Sequence, residues 1–376
     1  MADLSAPSAP LQRSKWPSFG RLIARRGFQR WAARFPLTRR KVRAEGDALF
    51  DLVAGFCHSQ VLFALVELGV PDLLMERPLT LAALGARVGV PEERLLVLLR
   101  AGAALGLLKS RRDGRFATTH RGAALVGVPG LQDMIRHHDV LYRDLADPVA
   151  FFKGDTTPEL AGFWPYVFGG GVAPEEAERY SELMAQSQLL VADDTLDAVS
   201  LKGVQHLMDI GGGSGVFLSE VGARYPDIQL TLFDLPNVAP LAESRFRRAG
   251  LHTRATIAAG SFRNDSLPQG PDAVSLVRVL YDHSDETVRD LLGKIHATLP
   301  SGGRLIISEP MLGNGQPERA GDAYFALYTL AMGTGKTRSS AEITALCRDA
   351  GFANIKAVKP RRGFITSCVV STKDDI

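Results

Sequence analysis

The chain has 376 residues, too many for one compact core and suited to two domains of ordinary size. At 45% hydrophobic and 23% charged residues it has the balance of a soluble globular protein, and no uninterrupted apolar run reaches the ~18–20 residues of a bilayer span. Its net charge of +3 hides an asymmetry: residues 1–46 hold eleven Lys or Arg against Asp3 and Glu45, leaving 33 basic and 39 acidic residues elsewhere.

Residues 1–12, rich in Ala, Ser and Pro, are expected to be disordered. Over residues 1–46, a basic arm, the apolar residues Phe19, Leu22, Ile23, Phe28, Trp31, Ala32 and Phe35 recur at helical spacing with arginines between them, and Gly27 weakens the middle. Such a helix can lie in a membrane interface or pack on its own protein or a twin subunit. The basic stretch is not followed by the apolar segment and cleavage site of a signal peptide. Cys57, Cys347 and Cys368 stand apart, giving neither a disulfide framework nor a metal knuckle. The expected setting is cytoplasmic, without a metal, and peripheral on the inner or an intracytoplasmic membrane if the arm meets lipid.

Residues 47–125 read as a helical unit closed by a hairpin. Ala48–Leu68 is an apolar helix ended by Gly69, Leu81–Val88 a short helix, and Val90-Pro91-Glu92-Glu93 starts another that ends near Gly106. Leu107–Ser110 and Arg115–Thr118 flank the Asp113-Gly114 turn as two strands. This is a winged-helix pattern, which in other settings reads DNA. Here the second helix carries only Arg94 and Arg100 as basic residues, too few to reach base edges, so packing or dimerisation is the expectation and no nucleic-acid partner is expected.

Residues 126–200 form a mainly helical linker with a loop-rich middle, containing His137, His138 and the aromatic cluster Phe163-Trp164-Pro165-Tyr166. From 201 to 376 strands and helices alternate: strands at Val204–Ile210, Gln229–Asp234, Ala273–Leu280 and Arg304–Glu309, helices at Val216–Arg224, Val238–Ala249, Glu286–Leu299 and Ala341–Ala350, and strand material over Ile355–Ser371. The fold class is therefore α/β, a doubly wound Rossmann-like sheet behind an N-terminal, mostly helical winged-helix domain, with ligands at the carboxyl ends of the strands.

The strongest signal is Met208-Asp209-Ile210-Gly211-Gly212-Gly213-Ser214-Gly215 between a strand and a helix. A nicotinamide fingerprint needs glycine at 216, where Val216 stands. The G-x-G-x-G turn, preceded by an acid, suits instead the amino-acid tail of S-adenosylmethionine, which has no pyrophosphate. Asp234, at the tip of the next strand, is placed to accept hydrogen bonds from two ribose hydroxyls, and Gly260-Ser261-Phe262 falls where a loop closes over adenine. Gly333-Thr334-Gly335-Lys336-Thr337 imitates the end of a phosphate-binding loop, but Leu330 occupies the position of its first glycine.

These motifs resemble the class I small-molecule O-methyltransferases, a family that includes caffeate, hydroxyindole and bacterial antibiotic enzymes, over residues 47–371. Asp209–Gly215, Phe233-Asp234-Leu235-Pro236, Gly260–Phe262, and Arg278 with Tyr281-Asp282-His283-Ser284-Asp285-Glu286 carry the likeness. It implies a homodimer, S-adenosylmethionine as cofactor, and cofactor contacts from Asp209, Gly211, Gly213, Asp234, Gly260, Ser261, Phe262 and Arg278. Met184 and Gln188 match positions that line the site, as the paired His137 and His138 beside Tyr142 are also expected to do. A narrower resemblance, carried by Ala32–Arg39, Phe50–Gln60 and His137–Phe152, is to bacterial enzymes that methylate the tertiary hydroxyl of an acyclic carotenoid.

The chain departs from the family at one telling position. Where the family has a histidine base, this sequence has Tyr281; His283 stands in place of a tryptophan; Glu309 matches one family acid, and the other maps to Thr337. A tyrosine of ordinary pKa is a poor base at neutral pH. Three readings stay open: Tyr281 positions the hydroxyl, with Glu309 orienting rather than titrating; His283, His137 or His138 acts as base; or the acceptor atom is carbon, as in related bacteriochlorophyll enzymes. Other acceptors are a phenol or polyketide. The competing classes are a cofactor-sensing winged-helix regulator and a dehydrogenase.

Overall fold

A computed structural model describes residues 17–163 and 174–374, with side chains from 19–162 and 185–374. Residues 1–12, residues 164–166 of the aromatic cluster, and the side chains of Phe163 and Met184 lie outside what is described. The arm is two helices, Pro17–Ile23 and Arg26–Arg34, and the break falls at Ala24-Arg25 while Gly27 sits inside the second helix. Phe28, Trp31 and Phe35 form an aromatic ladder with ring centroids 5.6 and 4.9 Å apart.

Arg39–Glu67 is one helix of 29 residues, longer at its N-terminus than the apolar pattern predicts. Its mean hydropathy reaches 1.7 over 18 residues, so among the described helices it is long and apolar enough to cross a membrane. Asp51 and the run His58-Ser59-Gln60 interrupt the apolar string, which is why no continuous span shows in the sequence. Its C-terminal end is the wall of a folded domain: Leu65 and Val66 are fully buried, and Leu65 packs with Leu74, Leu84, Leu95, Leu99 and Phe116. Its Leu49, Leu52, Val53 and Phe56, spaced along one helical face, are exposed.

In this first domain Thr80 caps Leu81–Val88 by accepting a hydrogen bond from the backbone N–H of Ala83 at 3.3 Å. The helix Glu92–Ala104 turns Leu95, Leu99 and Gly102 inward, which leaves Arg94 and Arg100 at the surface. The hairpin of β2 (Leu108–Ser110) and β3 (Arg115–Thr118) gains a third strand absent from the sequence reading, the two-residue β1 (Leu79–Thr80), which pairs antiparallel with β3.

The second domain is a seven-stranded sheet in the order β6-β5-β4-β7-β8-β10-β9. Its strands are β4 (His206–Ile210), β5 (Gln229–Asp234), β6 (Ala255–Ala259), β7 (Ala273–Val277), β8 (Arg304–Glu309), β9 (Phe352–Val358) and β10 (Ser367–Lys373). The first five run parallel; β10 inserts antiparallel between β8 and β9. β6, half-buried and only five residues long, carries no strong apolar signal and is missed in the sequence reading. Apolar side chains cover both faces of the sheet, with Met208, Leu276 and Ile307 on one side and Leu207, Leu232 and Val277 on the other. Strand order reverses between β4 and β7, so the crevice for a ligand opens at their carboxyl ends. A second unpredicted element, a wide π-type turn over Arg319–Phe325 running into the helix Ala326–Met332, packs near that end.

Candidate active site

The end of β4 leads into the glycine turn and then the helix Val216–Arg224. Gly213 has φ +60°, and no atom lies within 4 Å of where its Cβ would stand, so a side chain there would be strained and would enter the crevice. Its backbone N–H donates to Asp234 Oδ2 at 2.7 Å, and the Leu235 N–H donates to Oδ1 at 2.7 Å. Burial raises the Asp234 carboxyl above its usual range while these two amides pull it back, leaving a preoriented acceptor. Together Gly211, Gly213, Asp234, Gly260, Ser261 and Phe262 line a cavity of about 460 Å³, which Gln188 and Arg278 also reach.

Asp209, expected among the cofactor contacts, lines no part of this cavity. Its carboxylate is fully buried beneath the turn, where Oδ1 accepts from Ser275 Oγ at 2.6 Å and a Cβ on Gly212 would stand 2.2 Å from Oδ2. Burial raises it to about 7 against the hydrogen bond from Ser275. The acid in the motif supports the turn from inside the sheet.

Arg278 follows β7 with φ +59°, a conformation unusual for a residue with a side chain. The surrounding contacts hold it: its N–H donates to the Ser308 carbonyl at 2.8 Å, Nη1 to Ser187 Oγ at 2.9 Å, and Nη2 to the Tyr281 hydroxyl at 3.4 Å. The strain places a guanidinium on the cavity wall.

The facing wall is the turn Leu280–Asp282 and the residues before the helix Asp285–Thr298. Tyr281 is buried and its hydroxyl is pushed above its ordinary value by desolvation, so it keeps its proton and does not act as a base. His283, a candidate base in the sequence, is buried; its Nδ1 meets Arg263 Nη2 at 3.1 Å and its ring lies edge-on to Phe262 at 5.2 Å. Burial, then Arg263 and Arg338, lower it to about 4, which keeps it neutral. Glu309 does not line the cavity: its Oε2 accepts from the Tyr281 N–H at 3.2 Å, and burial raises it to about 7. It orients the turn.

Arg338, fully buried, clamps the same turn by donating to the carbonyls of Leu280 and His283, each at 2.8 Å, and to Asp285 Oδ1 at 2.8 Å. The Gly333–Thr337 segment, which imitates a phosphate loop, is the other half of the clamp. Lys336 N–H donates to the Tyr281 carbonyl at 2.8 Å, and Gly335 lies so close that a Cβ would stand 2.7 Å from that carbonyl oxygen.

His137, His138 and Tyr142, expected along the substrate, lie on the helix Leu131–Asp144 and do not line the described cavity. Instead His137 Nε2 shares a hydrogen bond with Tyr328 at 2.8 Å, and His138 Nε2 one with Tyr324 at 2.6 Å. Tyr142 packs edge-on to Phe63, with ring centroids 6.0 Å apart. Burial lowers both histidines, His137 to about 4. Sequence reasoning missed Tyr324, Tyr328 and Arg338; the spacing of the two tyrosines by four in an apolar run is the signal that marks a shared helical face.

A glycine turn shaped by backbone, an acid at the tip of the adjacent strand and an apolar lid residue fit a nucleoside that brings no pyrophosphate. Fold and site thus define a Rossmann-like transferase that uses a nucleoside cofactor. A model of the O-methyltransferase domain matches residues 142–353, and one of the O-methyltransferase dimerisation domain matches 50–127. The chain is 55% identical over 355 residues to demethylspheroidene O-methyltransferase of Cereibacter sphaeroides, covering 94% of each. It is 52% identical over 365 residues to the enzyme of that name from Rhodobacter capsulatus, covering 96% of this chain and 91% of the relative. The crystal structure of human N-acetylserotonin methyltransferase in complex with SAM superposes with a TM-score of 0.73 at 27% identity, over 88% of this chain and 98% of that one. The chain belongs to the O-methyltransferase family.

Proposed function

We propose that this protein uses S-adenosylmethionine to methylate a hydroxyl of an acyclic carotenoid of the demethylspheroidene type. The observation that carries the reading is 55% identity extending over 94% of both chains. When bound, S-adenosylmethionine supplies a methyl group on a cationic sulfur. Gly211, Gly213 and Asp234, which line the cavity, would hold the cofactor, Asp234 as acceptor for ribose hydroxyls, and Phe262 would supply an apolar wall for adenine. Tyr281, held by Arg278 on the cofactor side, orients the acceptor hydroxyl, and the surrounding apolar side chains exclude water from the reacting oxygen. Positioning of this kind supplies up to ~7–11 kcal/mol of a barrier.

A polyene is insoluble in water, and the arm gives a route to it. Phe19, Ile23, Trp31 and Leu37 are exposed beside the exposed Arg21, Arg25, Arg30, Arg34, Arg39 and Lys41. A basic amphipathic surface of this kind rests on anionic lipid at ~1 kcal/mol per basic residue, which puts the enzyme on the cytoplasmic face of a membrane. The exposed face of Leu49, Leu52, Val53 and Phe56 begins the segment that matches the dimerisation domain, and a second copy covers it.

The test is transfer of labelled methyl from S-adenosylmethionine to a 1-hydroxylated acyclic carotenoid on anionic vesicles. The account expects label in the carotenoid and loss of vesicle binding when the arm's arginines are replaced by glutamine. Label in a phenol, polyketide or chlorophyll precursor, with none in the carotenoid, overturns the assignment.

A further inference from the structure

The loop after β6 is tied down from two directions. Asp265 Oδ2 accepts from the Ser261 N–H at 2.7 Å. Lys294, on the helix Asp285–Thr298, donates to the carbonyls of Phe262, Arg263 and Asp265 at 2.7, 3.1 and 3.0 Å. Held in this way, Phe262 and Arg263 line the cavity and meet the segment that follows β7. Arg263 Nη2 reaches His283 Nδ1 at 3.1 Å, and the Phe262 ring stands edge-on to the imidazole. In the sheet, β5 and β4 lie between β6 and β7, so this bridge spans the strands that carry Asp234 and the glycine turn. His283, the residue after the turn Leu280–Asp282, is thereby joined to the cofactor wall.

The contact also settles where the imidazole carries its hydrogen. A guanidinium has N–H groups and no acceptor, so His283 Nδ1 must be the bare, accepting nitrogen. Burial, with Arg263 and Arg338 nearby, lowers the ring to about 4 and keeps it neutral. Its one N–H is therefore at Nε2. Among the described residues Nε2 has no hydrogen-bond partner. Nor is it one of the sealed, unpartnered polar atoms, which are Asp209 Oδ2, Asp282 Oδ1, Glu309 Oε1, Thr334 Oγ1 and Ser371 Oγ. It is a donor of fixed tautomer that keeps open surface on a residue of the cavity wall.

We infer that His283, oriented by Arg263, donates its Nε2 hydrogen to a ring nitrogen of the adenine of S-adenosylmethionine. Adenine presents acceptors at its ring nitrogens and a donor at its 6-amino group, so the Nε2–H meets the ring and not the amino group. Phe262 offers contact that any flat base would take, whereas His283 supplies the contact that depends on which atoms the base carries. A rigid loop holds the pair in place before the cofactor arrives, which lowers the ordering cost of the bond. The assignment rests on the S-adenosylmethionine reading and is independent of the methyl acceptor.

The experiment measures, by calorimetry, the affinity of wild type, His283→Phe and Arg263→Met for S-adenosylhomocysteine and its 1-deaza, 3-deaza and 7-deaza analogues. Each analogue has C–H in place of one ring nitrogen. Failure of wild type to bind the parent compound would contradict the cofactor reading itself, and the inference with it. Given that binding, one of the three analogues should bind wild type about three- to tenfold more weakly than the parent, the share of one neutral hydrogen bond. His283→Phe keeps a flat ring and loses the donor, so it should bind the parent more weakly and show no extra penalty for that analogue. Arg263→Met should shrink the penalty, because nothing then holds Nδ1 as the acceptor. Equal affinity of wild type for all four compounds, a comparison that needs no variant to fold, overturns the assignment. So does a penalty that persists in full in His283→Phe, since a purely structural role weakens all four by the same factor. A full penalty in Arg263→Met overturns the orienting role of that arginine.

Discussion

The two walls of the cavity are held by different means. On the cofactor wall, Gly213 and Asp234 lie at the ends of neighbouring parallel strands, and the bonds that shape the wall join backbone amides to one carboxylate. On the acceptor wall, the turn at Leu280–Asp282 hangs from side chains that arrive from far along the chain: Glu309, 28 residues on, and Arg338, 58 residues on. The first arrangement is set by a local motif and tolerates little substitution within it. The second is a long-range scaffold in which buried side chains from two later segments set the position of the turn.

Breaking the cofactor wall should give the largest effect. Asp234→Ala removes the acceptor of two charge-assisted bonds worth ~1.5–3 kcal/mol each, so S-adenosylmethionine affinity by calorimetry should fall by at least about a hundredfold. Gly335→Ala acts on the other wall alone. Its Cβ would stand 2.7 Å from the Tyr281 carbonyl oxygen and 3.1 Å from Thr329 Cβ, so the turn must shift. Stability should drop by ~1–3 kcal/mol in denaturant titrations, and kcat should fall while cofactor affinity holds. Equal loss of both would show that the walls are not independent.

The smallest effect concerns the histidine–tyrosine pairs behind the acceptor wall. His137 is lowered from 6.5 to about 4, so the unfolded chain takes up a proton first as pH falls, and the stability contributed by the neutral ring is full above 6.5 and drains away toward 4. Between pH 7 and pH 5 this amounts to on the order of 2 kcal/mol, and His137→Gln should flatten the decline of Tm with acid relative to wild type. A parallel decline in both proteins would remove His137 from the account.

The same contrast explains what the sequence makes legible. The alternation of strands and helices, the turn at Gly211–Gly215 and Asp234 all announce themselves through local pattern, because each is a contiguous segment with a backbone job. The strand β6 and the segment Arg319–Met332 do not: one is half-buried and short, the other a π-type turn outside the 3.6-residue period. Tyr324 and Tyr328 are therefore invisible as partners of His138 and His137, which lie 186 and 191 residues away. Asp209 misleads for the opposite reason, since an acid beside a glycine turn suggests ligand contact and only the fold shows that its side chain points beneath.

The claim beneath all of this is that the turn after Met208 and the carboxylate of Asp234 grip a sulfonium nucleoside. Equilibrium titration of the wild-type protein with S-adenosylmethionine, and separately with a nicotinamide dinucleotide, addresses it directly. The account predicts saturable binding of S-adenosylmethionine and none of the dinucleotide; binding of the dinucleotide alone, or of neither, would contradict it.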